Sequence, residues 1–524
     1  MQFTQGFHRA VQQRPQQTAT LCNDRRRSYA ELKDRVARLA AGLCQLGVRD
    51  TNRVAMLALN SDHYLEYYLA VPWAGAQLVP LNFRWSVEEI GYALNDCEAV
   101  ALFVDDTFAP QADALLDACT YVRILIYCGD GKCPEGMVAM EDLIAQNEPM
   151  EDASLSNSPL GEEVLGVFYT GGTTGKSKGV LLSHRAVTNS ALAFIAEGAN
   201  VFSSNSVGLH IAPMFHLADA MQTTALILSG GTHVMLPVFR PDAVLDAIQR
   251  HHVTDTLLVP AMLQALVDCP ALAAHDVSSV RNVLYGASPA SESLLDRAMK
   301  ALPNASFYQG YGMTEVAAVG CILPAHEHLA EGRAMGRLRS AGHAAQQVMV
   351  RIVDDQDHEK ARGEIGEIVI RGPSLMDGYL NQPEATATAL KNGWMHTGDL
   401  AYMDDEGFVY IVDRAKDMIV SGGENVYCAE VENAVASHPA VASCAVIGVP
   451  DEQLGERVHA VIVLKPGTTL DQAALNAHCR THIAGYKCPR SLELCDALPM
   501  SGAGKVLKTE LRKPYWSNLK RQVN

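Results

Sequence analysis

The sequence predicts an α/β protein with a large N-terminal domain of layered α/β subdomains, a small β subdomain and a smaller C-terminal domain. The chain has 524 residues, of which 48% are hydrophobic and 19% are charged. This length exceeds one compact core, because a domain typically holds roughly 100–200 residues. Helical stretches at 29–46 and 241–251 alternate with short apolar runs at 54–59, 101–104 and 256–259. Such a rhythm is typical of α/β layers.

The pattern changes twice toward the C-terminus. From about residue 344 to 412, the segments VMVRIVD, GEIVIRG and GFVYIVD are closely spaced strand candidates separated by Gly and Asp turns, and they predict a small β-barrel-like subdomain. After Asp413 the α/β alternation resumes, with a helix near 428–437 and strands near Ala445 and Val461. We therefore expect an N-terminal domain at 1–413 and a small α+β C-terminal domain at 414–524.

Composition disfavours several classes of protein. The chain has 42 Lys and Arg against 59 Asp and Glu, a net charge of −17, which argues against a nucleic-acid partner. Its 13 Cys contain no CxxC pair, a pattern that favours reduced thiols over a disulfide framework or zinc site. The N-terminus lacks a signal-peptide pattern and no apolar run approaches the roughly 18 residues of a membrane span. We expect a cytoplasmic protein, and a homodimer stays open.

The segment VLGVFYTGGTTGKSKGVLLSH carries the strongest signal for chemistry. An apolar strand ending near Tyr169 runs into a stretch of Gly, Thr, Lys and Ser. Glycines let backbone N–H groups converge on one anion, Thr hydroxyls add donors, and Lys176 and Lys178 add positive charge. The segment predicts a phosphate-binding loop, whose candidate residues are Thr170, Gly171, Gly172, Thr173, Thr174, Gly175 and Lys178.

Three other interpretations compete for this loop. A Walker P-loop, GxxxxGK[ST], is disfavoured because Thr170 stands at its first position and because GVLLSH predicts a strand where that motif needs a helix. GKSKG matches the GxSxG elbow of hydrolases, but Ser177 follows a long loop instead of a sharp strand-to-helix turn. A plain glycine-rich hairpin loop stays open on this segment alone.

The loop resembles TSGTTGxPKG, the signature of the adenylate-forming superfamily of acyl-CoA synthetases, luciferases and peptide-synthetase adenylation domains. Gly171 replaces the usual Ser and Ser177 the usual Pro. Further motifs follow in the family's order, so that the resemblance extends from about residue 7 to 508. It implies that ATP and Mg²⁺ activate a carboxylic acid as an acyl-adenylate, that coenzyme A receives the acyl group, and that the C-terminal domain is mobile.

The resemblance assigns roles to three segments of the N-terminal domain. PMFH, at 213–216, resembles the segment beside the substrate carboxylate, with His216 a catalytic candidate. YGASPAS resembles the turn that contacts adenine, and YQGYGMTE implies adenine stacking by Tyr311, a phosphate contact by Thr314 and magnesium coordination by Glu315. The remaining nucleotide-binding candidates in these two segments are Gly286, Ala287, Ser288, Gln309, Gly310, Gly312 and Met313.

Four further positions follow from the resemblance. Asp399 in GWMHTGDL is implied to accept hydrogen bonds from the ribose hydroxyls, and Arg414 to make a second ribose or phosphate contact. Lys416 falls at the family's hinge, and Lys505 at the lysine of the adenylation step. The stretch implied to approach coenzyme A contains Ser421, Gly422, Gly423 and Glu424.

The substrate is less specified than the chemistry. In amino-acid-activating relatives an Asp follows the Phe of the pocket motif, but here His216 follows Phe215, and Asp219 is expected to be a helix N-terminal charge. Small and apolar residues in the pocket segments favour a medium- or long-chain fatty acid. An aryl or cinnamate-type acid, and a separate carrier protein as acceptor, stay open. The acyl-pocket candidates are Met214, His216, Met221, Gly310 and Ala317.

Two functions of other classes were also considered. A nucleotide-binding protein without catalysis could dispense with Glu315, Lys416 and Lys505, all of which are present. A hydrolase acting through Ser177 would need a placed His and Asp, and His184 at the end of a short strand is more typical of a structural histidine.

Overall fold

The structure is a computed structural model that describes residues 1–156, 161–170, 177–197, 201–288, 290–414, 417–422, 424–451, 453–500 and 506–516. Its strands are β1 Thr18–Cys22, β2 Arg25–Ser28, β3 Arg53–Leu57, β4 Gln77–Pro80, β5 Ala101–Val104, β6 Ile124–Tyr127, β7 Val138–Ala139, β8 Val164–Thr170, β9 Lys178–Ser183, β10 Val207–His210, β11 Thr232–Met235, β12 Asp255–Leu258, β13 Asn282–Gly286, β14 Ser306–Tyr311, β15 Cys321–Leu323, β16 His343–Ala344, β17 Met349–Val353, β18 Gly366–Arg371, β19 Gly378–Tyr379, β20 Leu390–Lys391, β21 Trp394–Met403, β22 Val409–Arg414, β23 Ile419–Ser421, β24 Glu424–Val426, β25 Val441–Asp451, β26 Gly455–Leu464 and β27 Ser491–Leu494.

The helices lie between and beside these strands, and none of those described combines the length and apolar character that crossing a bilayer requires. They are α1 Gln5–Gln13, α2 Tyr29–Gln45, α3 Asp62–Trp73, α4 Val87–Asp96, α5 Ala112–Ala118, α6 Met140–Gln146, α7 His184–Glu197, α8 Leu217–Ser229, α9 Pro241–His251, α10 Pro260–Val267, α11 Glu292–Ala301, α12 Ala330–Ala334, α13 Pro383–Ala389, α14 Cys428–Ala436, α15 Gln472–Cys479 and α16 Lys508–Trp516.

Two large sheets form the N-terminal part of the molecule, which confirms the predicted α/β layers. One has nine strands in the order β16-β15-β14-β13-β12-β10-β11-β1-β2, parallel from β14 to β1. The other has eight strands in the order β19-β9-β8-β4-β3-β5-β6-β7. Helices α7 and α8 pack against each other, and both contribute side chains to the large apolar cluster that also contains residues of both sheets.

The predicted barrel-like subdomain is instead an open antiparallel sheet. Strands β17, β18, β21 and β20 are neighbours in that order, and β22 also pairs with β21. The long strand β21 pairs with β20 near Trp394 and with β22 from Asp399 onward. Strands β20 and β22 thus share one edge of β21. The described strands do not close the sheet on itself, as a barrel requires.

The fourth sheet forms a separate C-terminal unit. Its strands run β24-β23-β26-β25, with β27 parallel to β26, and α14 and α16 pack on β25. Its core consists of side chains such as Val431, Val446 and Ile462. The described strands of the other three sheets end at Arg414, and this sheet begins at Ile419. The domain division at 413/414 stays a prediction that fits this change.

Candidate functional site

The predicted motifs follow the carboxyl ends of parallel strands, the edge at which open α/β sheets bind ligands. The glycine-rich loop follows β8, PMFH follows β10, the adenine-type turn follows β13 and the Tyr311 segment ends β14. Strands β13 and β14 are adjacent and parallel, with Gly286 opposite Gly310. A Cβ atom on Gly286 would lie 2.2 Å from the carbonyl oxygen of Gly310, so this close approach requires glycine.

The stem of the glycine-rich loop is a β hairpin. Thr170 on β8 pairs with Lys178 on β9, and its hydroxyl donates to the Lys178 carbonyl at 3.5 Å. GVLLSH continues as strand β9, which confirms the prediction of a strand after the loop and excludes the Walker arrangement. The candidates Gly171, Gly172, Thr173, Thr174 and Gly175 lie outside the described residues, so the phosphate role of the loop stays a prediction.

Three predicted nucleotide contacts meet in one hydrogen-bonded group. The Tyr311 hydroxyl donates to Asp399 Oδ2 at 2.7 Å, and Arg414 Nε lies 3.2 Å from Asp399 Oδ1. Asp399 and Arg414 are opposite each other on β21 and β22, so this group joins the nine-stranded sheet to the open sheet. Burial, and then the neighbouring carboxylate, raise the pKa of Tyr311 well above its usual value. The carboxylate is thus held by a hydrogen bond and an ion pair from two different strands.

Glu315 lies in the 3₁₀ turn Thr314–Val316, directly after this group, and is 6% exposed. The hydroxyl of Tyr379 donates to Glu315 Oε1 at 2.8 Å, and Lys178 Nζ lies 4.7 Å from the centre of the Tyr379 ring. A single buried carboxylate is a fitting donor for Mg²⁺, which prefers oxygen ligands and usually completes its shell with phosphate oxygens and water. Sequence reasoning missed Tyr379.

Unusual backbone conformations cluster at the same place. Ala287, Ala317 and Ala318 have φ values of 67°, 54° and 85°, in the left-handed region that residues other than glycine rarely adopt. Each such residue costs roughly 1–3 kcal/mol, and they concentrate at functional sites. A Cβ atom on Gly312 would lie 2.1 Å from the Ala318 carbonyl oxygen. The chain therefore folds tightly back on itself beside Glu315.

The acyl-pocket candidates lie in a common apolar core. Met214, Met221 and Ala317 are at most 3% exposed and belong to one buried cluster. His216 immediately precedes α8, and its backbone carbonyl accepts hydrogen bonds from the N–H groups of Asp219 and Ala220. Aromatic rings lie beside these candidates. Phe215 contacts Phe83 edge to face, with 5.3 Å between the ring centroids. The Phe194 ring on α7 lies 3.2 Å from the position that a Cβ atom on Gly310 would take.

Four other candidates complete this part of the site. Gln309 accepts a hydrogen bond from Tyr285 at 3.3 Å, whereas Met313 packs against the core that contains Met214. Thr314 is half-buried, and its carbonyl closes the turn by accepting from the Ala317 N–H at 3.0 Å. Ser288 is half-buried at the end of the described part of the adenine-type turn.

Asp219 lies at the start of a helix and is also fully buried. It lies in the first turn of α8, as predicted, but it is 0% exposed, and its Oδ1 lies 2.8 Å from His210 Nδ1. His210 Nε2 lies 3.0 Å from His233 Nδ1. Burial lowers the pKa of His233 well below its usual value. Asp219 is therefore part of a buried Asp–His–His chain that attaches the start of α8 to β10 and β11.

The C-terminal candidates lie on the fourth sheet. Ser421 pairs with Glu424 in the β23–β24 hairpin, and Gly422 adopts φ 61° while its N–H donates to the Leu454 carbonyl at 2.8 Å. Gly423, Lys416 and Lys505 lie outside the described residues. Met500 and Val506, which flank the segment of Lys505, form an antiparallel bridge, so the two ends of that segment lie close together.

Helix α16, which follows the Lys505 segment, is attached to the chain around the predicted hinge. Arg512 Nη1 lies 2.6 Å from Asp417 Oδ1, and Lys508 Nζ lies 2.8 Å from Glu432 Oε1. The Cys428 N–H donates to Asp413 Oδ2 at 2.5 Å. Burial raises the pKa of Asp413, although Lys508 opposes that effect.

Comparison with known proteins agrees with this geometry. Residues 7–380 match the family model of AMP-binding enzymes, and residues 430–505 match the model of the AMP-binding enzyme C-terminal domain. A feruloyl-CoA synthase of Amycolatopsis is 40% identical over 97% of this chain and 98% of its own length. A medium/long-chain-fatty-acid–CoA ligase of Mycobacterium tuberculosis is 35% identical over 95% of this chain and 88% of its own length.

A solved structure shares the whole architecture. The crystal structure of ATP-bound MatB from Rhodopseudomonas palustris superposes with a TM-score of 0.87 at 28% identity, and the match covers 99% of this chain and all of that one. The first family model covers Tyr311, Glu315 and Tyr379, and the second covers most of the C-terminal unit. The chain therefore belongs to the AMP-binding enzyme family of the adenylate-forming superfamily.

Proposed function

We propose that the protein is an ATP-dependent acyl-CoA synthetase, an AMP-forming acid–thiol ligase. The observation that carries this proposal is the group formed by Tyr311, Asp399 and Arg414. A carboxylate fixed by a hydrogen bond and an ion pair beside an aromatic ring is suited to accept hydrogen bonds from the two ribose hydroxyls of a nucleotide whose base stacks on that ring. Glu315, four residues after Tyr311, supplies a second buried carboxylate, which we assign to the metal-bound phosphates.

In the first half-reaction, the substrate carboxylate attacks the α-phosphate of ATP, the bond to the pyrophosphate breaks, and an acyl-adenylate forms. Because both partners are anions, catalysis depends on positioning and charge neutralisation, and no protein nucleophile is required. We assign the phosphates to the Thr170–Lys178 loop and Lys505, and the start of α8 with His216 to the substrate carboxylate. Mg²⁺ held by Glu315 would neutralise phosphate charge.

In the second half-reaction, the thiol of coenzyme A attacks the acyl carbon and AMP leaves. We propose that residues 414–524 rotate about Lys416 between the half-reactions, withdrawing Lys505 and bringing the 421–424 hairpin toward the thiol. The two hydrogen-bonded attachments of α16, at Asp417 and Glu432, support movement of the Lys505 segment together with the C-terminal unit.

For the acid, we propose an aromatic or other ring-bearing carboxylic acid of roughly cinnamate size. We place the end of the acyl pocket at the Phe194 ring, which lies close to Gly310, and Phe215 and Phe83 would add aromatic surface. The similarity to feruloyl-CoA synthase supports this class. A medium- or long-chain fatty acid is the second candidate, supported by the flexible side chains of Met214 and Met221 and by the similarity to a fatty-acid–CoA ligase.

The deciding experiment measures pyrophosphate release from ATP and Mg²⁺ with acetate, octanoate, palmitate, cinnamate, ferulate, benzoate and amino acids, with and without coenzyme A. We expect continuous release with ring-bearing acids only when coenzyme A is present. Release that continues with a carrier protein but not with coenzyme A would contradict the proposed acceptor. Preference for palmitate would support the second candidate, and the absence of release with every acid would contradict ligase activity on these classes.

A further inference from the structure

The side chain of Tyr379 lies between two parts of the proposed phosphate site. Tyr379 is 9% exposed on β19, a strand of only two residues at the edge of the eight-stranded sheet. Its hydroxyl donates to Glu315 Oε1 at 2.8 Å, while its ring lies under the ammonium group of Lys178 at 4.7 Å. Glu315 is the proposed Mg²⁺ ligand, and Lys178 ends the glycine-rich loop.

The backbone around Tyr379 holds the same two parts. Tyr379 pairs with Val180 on β9, and the Leu380 N–H donates to the Gly179 carbonyl at 2.8 Å. The Met376 N–H donates to the Glu315 carbonyl at 2.9 Å. The segment Met376 to Leu380 therefore bridges the stem of the loop and the turn of Glu315, and its position does not depend on the Tyr379 hydroxyl.

From this geometry we propose that Tyr379 is a positioning residue that orients the Glu315 carboxylate toward the metal-bound phosphates and aligns Lys178 with them. The hydroxyl fixes the carboxylate by occupying Oε1, and a hydrogen bond to a buried charged group is strong enough to select one rotamer. The ring attracts the Lys178 ammonium by a cation–π interaction. This inference rests on the proposed function, because it needs Glu315 and Lys178 to face a metal–nucleotide complex.

Two substitutions separate the contact of the hydroxyl with Glu315 from the contact of the ring with Lys178. Tyr379→Phe keeps the ring beneath Lys178 and removes only the hydroxyl, whereas Tyr379→Leu removes both. Tyr127→Phe is the matched control, because it also removes a hydroxyl that donates to a carboxylate, that of Asp106. It lies on β6, toward the opposite edge of the same sheet.

The readout is binding rather than turnover. Affinity for a non-hydrolysable ATP analogue is measured by calorimetry in EDTA and with saturating Mg²⁺, and Mn²⁺ binding to the analogue complex is measured by electron paramagnetic resonance. We expect Tyr379→Phe to weaken Mn²⁺ binding roughly tenfold and to leave metal-free nucleotide affinity unchanged. Tyr379→Leu should weaken both Mn²⁺ binding and metal-free nucleotide affinity. Tyr127→Phe should change neither of them.

A double substitution tests whether Tyr379 acts through Glu315. In a Glu315→Gln background, Tyr379→Phe should have no further effect on Mn²⁺ binding, because the charged acceptor is already absent. Additive losses in the double variant, or unchanged Mn²⁺ binding in Tyr379→Phe, would overturn the proposal. A wild-type protein that binds no nucleotide in either condition would instead overturn the proposed function, so the two failures are distinguishable.

Discussion

At the scale of single residues, Asp399 shows how the site is prepared before any ligand arrives. Its carboxylate is 11% exposed and is contacted by Tyr311 and Arg414 from two different strands. Such preorganisation lowers the cost of ordering the side chain when a nucleotide binds. We propose that the ring of the same tyrosine stacks on adenine and that its hydroxyl positions Asp399, and these two contributions can be separated by mutation.

Replacing Tyr311 by Phe keeps the ring and removes the donor to Asp399. We expect the KM for ATP to rise about threefold to tenfold and kcat to change less, because a hydrogen bond to a charged acceptor contributes about 1.5–3 kcal/mol and Arg414 retains part of the orientation. Initial rates measured over a range of ATP concentrations, at saturating carboxylic acid and coenzyme A, give both KM for ATP and kcat. Tyr402→Phe is the control, because Tyr402 lies on β21, the strand of Asp399, and stacks on Tyr410. Equal KM values in the two variants would contradict the positioning role.

Phe194 is the residue that we expect to limit acid length. Phe194→Ala removes the ring beneath Gly310, and the ratio of kcat/KM for palmitate to kcat/KM for cinnamate should rise about tenfold. A ratio is used because truncating a buried Phe costs about 3–5 kcal/mol of stability, and a lower fraction of folded enzyme affects both acids equally. Leu192→Ala, at an exposed position of the same helix, is the control. An unchanged ratio would show that Phe194 does not bound the pocket.

At the scale of secondary-structure elements, α8 is positioned by more than its apolar face. The chain of Asp219, His210 and His233 is fully buried between α8, β10 and β11, and the first turn of α8 follows His216 directly. A displacement of this turn would move both His216 and Met221. The buried chain of these three residues therefore supports the geometry of the proposed carboxylate and acyl pockets.

Asp219→Ala should lower the free energy of unfolding by about 1–3 kcal/mol, because it leaves the buried Nδ1 atom of His210 without its hydrogen-bond partner. Asp242→Ala is the matched control: Asp242 also lies in the first turn of a helix, α9, but is 65% exposed, and we expect a loss of about 0.5 kcal/mol or less. Denaturant unfolding measures both. Similar small losses would mean that Asp219 acts only as a helix N-terminal charge.

At the scale of the whole molecule, the N-terminus is attached to the eight-stranded sheet through a buried histidine. His184 Nδ1 accepts a hydrogen bond from the Phe3 N–H at 3.1 Å, which fits the structural role expected for this residue. Burial lowers the pKa of His184 from 6.5 to about 4. The unfolded chain therefore takes up this proton near pH 6.5, whereas the folded chain takes it up only near pH 4.

Stability should consequently fall by about 3 kcal/mol from this residue alone as pH falls from 6.5 to about 4. His184→Asn keeps an acceptor for the Phe3 N–H and removes the titration, so its free energy of unfolding should decline less over the same range. Guanidinium unfolding at several pH values compares the two proteins. Parallel pH profiles would mean that His184 does not contribute to acid sensitivity.

The proposed rotation of the C-terminal unit gives the fifth prediction. Lys505→Ala should abolish formation of the acyl-adenylate but still allow supplied acyl-adenylate to be converted to thioester, because in the proposed mechanism the lysine is withdrawn before the second half-reaction. Pyrophosphate exchange measures the first step, and thioester formation from synthetic acyl-adenylate measures the second. Equal loss of both half-reactions would contradict the proposed rotation about Lys416.

Local sequence patterns predicted the ends of several helices and strands to within one or two residues. The predicted helix at 241–251 is observed as Pro241–His251, and the strand at 101–104 is observed as Ala101–Val104. The strand predicted at 54–59 is observed one residue earlier at its start, as Arg53–Leu57. Apolar periodicity, Pro at the first helical position and glycine turns are local signals, and they predict elements whose ends depend mainly on neighbouring residues.

The sequence by itself determined the α/β class, the order of the motifs and thereby the family, because motif residues and strand patterns are contiguous along the chain. Only the tertiary structure decided which distant residues meet. Tyr379 lies 64 positions from Glu315, and His233 lies 23 positions from His210; neither pair has a local signal. The open form of the third sheet was likewise decided by pairing, since β20 and β22 share one edge of β21. Hydrogen bonds between strands depend on register and sheet order, which local patterns do not encode.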